Sequence, residues 1–131
     1  MSQENVELIQ RMYEAFHRGE ADGALAYFDP KVEVDASVRV DEGIGHGRDA
    51  VATMVARWVG AWDDWREEIE QMRDLGSHVV VVSTQRGRAK GSGIEVNTRY
   101  AVLYEIRGGK ITRMVLHSGP AEALEAAGLS E

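Results

Sequence analysis

The stretch from Ile94 to Ile106, thirteen residues without glycine or proline, constrains this chain more than any other feature. It reads as one strand running on to Arg107, where Gly108–Gly109 makes a tight hairpin turn. Thirteen residues at ~3.3 Å each span roughly 43 Å. A compact chain of 131 residues has a radius of gyration near ~14 Å, hence a diameter of roughly 36 Å. A strand that long must curve to stay inside. A curved sheet with helices across its concave side encloses a cone, and a cone can hold a small molecule.

The rest of the chain supplies those parts. Val6, Ile9, Tyr13 and Phe16 recur at helical spacing, which predicts an amphipathic helix over 3–17 ended by Gly19. Residues 22–28 read as a second short helix with Pro30 as its stop. Lys31 to Val40 reads as a strand, and DEGIGHG, 41–47, as a turn. Val51, Met54, Val55, Trp58, Val59 and Trp62 define the apolar face of a third helix over 48–62. After Trp65 the period changes to two. Strands are expected at 66–75, 78–88, 94–107 and 110–118, then a short helix at 120–127 opened by Pro120. The expected fold is therefore α+β: a cone-shaped barrel of a curved, mostly antiparallel sheet. Three N-terminal helices lie over its concave face and a short helix ends the chain. Length makes this one domain, 1–131.

Composition excludes several functions. With no cysteine there is no disulfide framework, thiolate metal site or cysteine nucleophile. The four histidines are scattered, and no metal motif is visible. The net charge is −7, and residues 1–76 hold 17 acids against 8 Lys and Arg, which offers no footprint for nucleic acid. The longest aliphatic run, Val79–Val82, is too short to span a bilayer. Residues 1–16 lack the basic start and apolar block of a signal peptide, so a soluble, cytoplasmic protein is expected.

Val79–Val82 and Tyr100–Tyr104 do not alternate cleanly, as in strands buried on both faces. If helices cover one face, a second subunit can cover the other, so a homodimer through the sheet is expected.

Several segments in order are family-like: YEAFHRGEADGALAYFDPKVEV, GHGRDAV, LGSHVVVV, GGKITRM and AEALEAAGL. On these the chain resembles the SnoaL-like branch of the nuclear transport factor 2-like superfamily, which includes ketosteroid isomerase. The resemblance implies a pocket between helices and concave sheet. In the isomerase relatives a strand carboxylate moves the proton, while a helix tyrosine and a neutral acid bind the oxyanion. The tyrosine position falls at Met12, with Tyr13 one step round. The neutral-acid position falls at Val102, and the base position near Ala36, beside Asp35. The isomerase oxyanion hole is thus absent, and steroid isomerisation is not expected.

The candidates follow. Asp35 in an apolar cone would have a raised pKa and act as base; the bland alternative is a solvated edge-strand acid. His117 is a second acid/base candidate, although parity with Met114 and Leu116 turns it to the outer face. Tyr100 and Tyr104 share the parity of Val102 and would hold a ligand oxygen, or be plain core aromatics. Thr84 and Arg86 share a face with Val82, and Arg86 would meet a ligand carboxylate, or solvent. Trp58 and Trp62 are core, wall or lid. Met12, Phe16, Val82, Val102, Met114 and Leu116 complete the expected lining.

The leading reading is a homodimeric binder of an apolar or amphipathic small molecule. If it is an enzyme, it is a cofactor-independent isomerase, cyclase or hydrolase acting on a cyclic or polyketide-like substrate, with Asp35 or His117 as acid/base and Tyr100 on the oxygen. The alternatives are a non-catalytic binding protein for an apolar ligand and a dimeric interaction module with a vestigial pocket.

Overall fold

The computed structural model describes residues 2–39 and 43–128. Part of the DEGIGHG segment, 41–42, lies outside the described residues. The elements are α1 (Ser2–His17), α2 (Ala21–Leu25), β1 (Phe28–Asp35), β2 (Ile44–His46), α3 (Arg48–Gly60), β3 (Trp62–Asp74), β4 (His78–Ala89), β5 (Glu95–Arg107), β6 (Lys110–His117) and α4 (Pro120–Ala126). One mixed sheet runs β2-β1-β6-β5-β4-β3. Among the described residues only β1 and β6 run parallel, and the other pairings are antiparallel. The sheet does not close into the barrel expected from sequence: β2 and β3 remain its two edges.

The long strands need bending, and β3 has two irregularities against β4, at Asp63/Arg66 and Ile69/Gln71. Bulges bend a strand and raise its twist. Pairing register then decides which face each side chain takes. Val79 sits opposite Tyr104, Val81 opposite Val102, Ser83 opposite Tyr100 and Gln85 opposite Thr98. Residues directly opposite share a face. Val79, Val81, Val102 and Tyr104 accordingly join the main core with Ile9, Met12 and Tyr13 of α1, Ala24 of α2, and Val51 and Met54 of α3. This is the inner face.

Val80, Val82, Ala101, Leu103 and Val115 point outward and form a second cluster with Ala123 and Leu124 of α4. A second subunit was expected over this face; over this part of it the chain's own last helix packs.

The second helix stops earlier than the spacing suggests. The Tyr27 carbonyl accepts from Ile111 N–H at 2.9 Å, so the chain has already joined the sheet before Pro30. Pro30 falls inside β1, within the irregular stretch between Phe28 and Glu33 where β1 pairs loosely with β6, and there its missing N–H is tolerated. β2 was hidden in glycine-rich turn chemistry. Its Gly45 packs so closely on α3 that a Cβ would sit 2.9 Å from Ala50 Cβ.

Gly87 of β4 is tighter: a Cβ there would lie 2.7 Å from Trp62 Cε3 and 2.9 Å from the Asp63 carbonyl. Overpacking of this kind costs about 1–3 kcal/mol. Gly87→Ala is expected to lose that much stability in urea unfolding. Gly60→Ala, at the open end of α3, is expected to lose none, because nothing lies within 4 Å of its added methyl.

Candidate functional site

Between α1–α3 and the inner sheet face lies a cavity of about 330 Å³. That volume is at the lower end of ligand pockets. From α1 the wall takes Met12, Tyr13 and Phe16; from α3, Met54 and Trp58 among others. From β5 it takes Tyr100, Val102 and Tyr104, and from β6, Met114 and Leu116. The structure thus places eight of the expected lining residues together. Two of them, Met12 and Val102, make apolar wall.

Four expected lining residues are not there: Val82, Thr84, Arg86 and Trp62. Val82, Thr84 and Arg86 share the outer face, because the register puts Val79, Val81 and Gln85 inward instead. Val82 packs under α4. Thr84 Oγ1 donates to the Glu70 carboxylate, which also pairs with Arg99 at 3.0 Å. Arg86 faces Glu68 at 3.9 Å. Trp62 is buried but lies behind the wall, edge-on to Trp58 at 5.3 Å between ring centroids.

Asp35 is likewise off the cavity. Its strand sends Val32, Val34 and Ala36 into the core, which turns Asp35 outward, opposite Val115. Its Oδ1 accepts from the Ser37 hydroxyl at 2.6 Å and the Ser37 N–H at 3.0 Å. The Ser37 hydroxyl bond lowers its pKa, contrary to the rise expected of a carboxyl in a cone. His117 faces outward too, opposite Ala101. Its Nε2 is buried with no hydrogen-bond partner among the described residues. Burial lowers its pKa, against upward pulls from Asp35 and Glu122.

Apart from Trp58, Tyr100 and Tyr104, the polar groups that do face the cavity were missed. Glu67 of β3 lines it with a side chain only 6% exposed. Its Oε1 lies 2.8 Å from His17 Nε2, and its Oε2 accepts from Gln85 Nε2 at 3.3 Å. Gln85 Oε1 accepts two indole N–H groups, from Trp65 at 3.0 Å and from Trp58. The Tyr13 and Tyr104 hydroxyls bond each other at 2.7 Å, both fully buried. Burial raises both pKa values well above the usual phenol range, and the Glu67 charge adds to each rise. Arg39, after β1, adds a cation to the wall. A legible signal existed for Gln85 alone: it is the odd-numbered polar residue continuing Val79 and Val81.

Among the described residues the site is therefore an apolar chamber with one buried carboxylate, two hydrogen-bonded phenols and one guanidinium. Among the described residues no group of three His, Cys, Asp or Glu stands together as a metal site. No described helix is long and apolar enough to cross a membrane.

This arrangement has a family. The SnoaL-like domain model matches residues 9–114, and the chain belongs to that family. No curated protein matches the chain. Among solved structures it is similar to a nuclear transport factor 2-like protein of unknown function from Burkholderia pseudomallei. The two are 24% identical, over 93% of this chain and 95% of that one, with a TM-score of 0.76. It is similar to TerC, co-crystallised with polyporic acid, at 22% identity over 88% and 92% with a TM-score of 0.74. A candidate polyketide cyclase from Xanthomonas campestris shares 25% identity over 89% and 91%, with a TM-score of 0.70.

Two predictions test the geometry. His117 has a folded pKa below its ordinary 6.5, so the folded chain binds fewer protons there than the unfolded chain. Its contribution is fully present above about pH 6.5 and is lost as pH falls below that value. Urea midpoints of the wild type are expected to drop more between about pH 7.5 and 5.5 than those of His117→Asn. Second, Tyr13→Phe or Tyr104→Phe strands a buried hydroxyl and is expected to cost about 1–3 kcal/mol. Urea unfolding of the double variant is expected to show less than the sum.

Proposed function

We propose that this SnoaL-like protein binds an apolar, cyclic small molecule in a cone-shaped cavity and moves a proton on it, with Glu67 as the acid/base. The carrying observation is that the one carboxylate among the described residues of the apolar wall, Glu67, stands beside two phenols whose protons burial holds in place. A carboxylate in such a chamber accepts a proton from a carbon acid, and a neutral phenol donates to the oxygen that gains charge. In this reading His17 and Gln85 position Glu67, and the Tyr13–Tyr104 pair takes the oxygen-binding role that the sequence suggested for Tyr100. Asp35 and His117 have no part in it. The chemistry is enolisation, the step shared by isomerases and aldol-type cyclases, and it proceeds without a cofactor.

The non-catalytic binding protein is the second reading, favoured by the outward placement of Asp35. The vestigial-pocket module has less support, since Trp58 and Trp62 leave the chamber unfilled. The homodimer remains part of the proposal. Its support lies in the outer strand segments beyond α4, where Glu70–Arg99 and Glu68–Arg86 form a row of matched charges suited to a polar interface.

2-Tetralone, a bicyclic ketone with acidic C–H groups, separates the readings. The wild type is expected to accelerate exchange of its α-protons for deuterium, followed by NMR. Glu67→Gln is expected to lose about 10²–10⁴-fold of that rate while still binding the ketone. Binding without acceleration in the wild type would favour the non-catalytic reading. Native mass spectrometry of the freshly purified protein reads subunit number and any carried ligand together; a monomer would remove the dimer.

A further inference from the structure

Arg39 brings a full positive charge to a wall whose other described residues are mostly apolar. Its guanidinium carbon lies 3.9 Å from the centre of the Trp58 ring and 5.3 Å from that of Tyr100. Those two rings meet edge to face, 5.4 Å apart at 84°. The cation therefore sits in a corner built from aromatic surface. Stacking of this kind offsets part of the cost of desolvating a guanidinium, and it also fixes the plane of the group. Nη1 touches Met54 Sδ at 3.7 Å, a weak acceptor. Five N–H donors let one guanidinium keep its protein contacts and still take a carboxylate.

The other charged group among the described residues of the wall is Glu67. Two side chains in series hold it away from Arg39. Trp58 offers its ring face to the guanidinium and its N–H to Gln85, and Gln85 donates to Glu67. The chamber is thus polarised, with a cation at one side, a carboxylate at another, and apolar wall between. A ligand anion placed near Glu67 would be repelled; placed at Arg39 it gains a charge-assisted hydrogen bond in a low-dielectric site.

We infer that the ligand is an organic anion with a flat apolar body, its carboxylate or enolate oxygen held at Arg39 and its far end directed toward Glu67. The inference rests on the small-molecule reading above and adds the ligand's charge and its direction in the chamber. A flat body follows from the Trp58 and Tyr100 faces beside the cation, along which a planar ring slides more readily than a bulky aliphatic one.

The test is isothermal titration calorimetry with two probes of nearly equal shape, 2-naphthoate and 2-naphthalenemethanol, at neutral pH. The wild type is expected to bind the anion about tenfold or more tightly than the alcohol, the scale of one charge-assisted hydrogen bond. Arg39→Met is expected to abolish that preference while still binding the alcohol. Arg39→Lys, which keeps the charge and loses the planar fork, is expected to retain part of it. Equal binding of the two probes by the wild type would overturn the anion inference and leave the small-molecule reading standing. So would a preference that survives in Arg39→Met. Failure of both probes to bind the wild type would overturn both. Thermal melting of each variant separates lost recognition from lost folding, and the wild-type comparison needs no variant at all.

Discussion

One amide ties the chamber together. Gln85 accepts the indole N–H groups of Trp58 and Trp65 on a single oxygen and donates to Glu67, which in turn meets His17. Those five residues come from α3, β3, β4 and α1. A buried amide left without partners costs about 1–3 kcal/mol, so this network specifies one arrangement of the helices over the sheet. It also fixes where the polar functions stand. The Trp58 ring is pinned at its nitrogen, and its face is thereby presented to Arg39.

The network depends on strand parity, and parity is where sequence reasoning divides into what it can and cannot see. The change of period after Trp65 was legible, and so were the strands from β3 to β6, because turns such as Gly108–Gly109 bound them sharply. The parity of Tyr100, Val102 and Tyr104 was legible as well. The face taken by β4 was not. Four consecutive valines fit either face equally well, and only pairing with β5 decides between Val81 and Val82. Choosing the even set carried Thr84 and Arg86 with it onto the wrong face and hid Gln85. Glu67 was hidden for a related reason: it stands in a strand of alternating charges, where one inward carboxylate looks like its solvated neighbours.

Asp35 shows the complementary limit. Its neighbours Val34 and Ala36 are core residues, so simple alternation places it outside, and the structure agrees. The short loop that follows supplies the Ser37 hydroxyl that holds it ionised. The fold family says where a carboxylate would be useful; the pleat says whether this chain can put one there. Here the inward carboxylate comes from a different strand, at the other edge of the sheet from β1 and β2. Similarity of fold at about a quarter identity does not say which strand supplies an inward carboxylate.

The paired phenols of Tyr13 and Tyr104 carry an arithmetic of their own. Two hydroxyls bring two protons and can share only one between them. The remaining O–H must find an acceptor, and the wall that surrounds it is largely hydrocarbon. Whichever tyrosine donates to its partner, the other keeps an O–H that this bond does not use. A guest lacking an acceptor oxygen at that spot strands the donor, and a guest that has one completes it. In the small-molecule reading proposed above, the pair would discriminate against pure hydrocarbons of any shape, by a count of hydrogens rather than by fit.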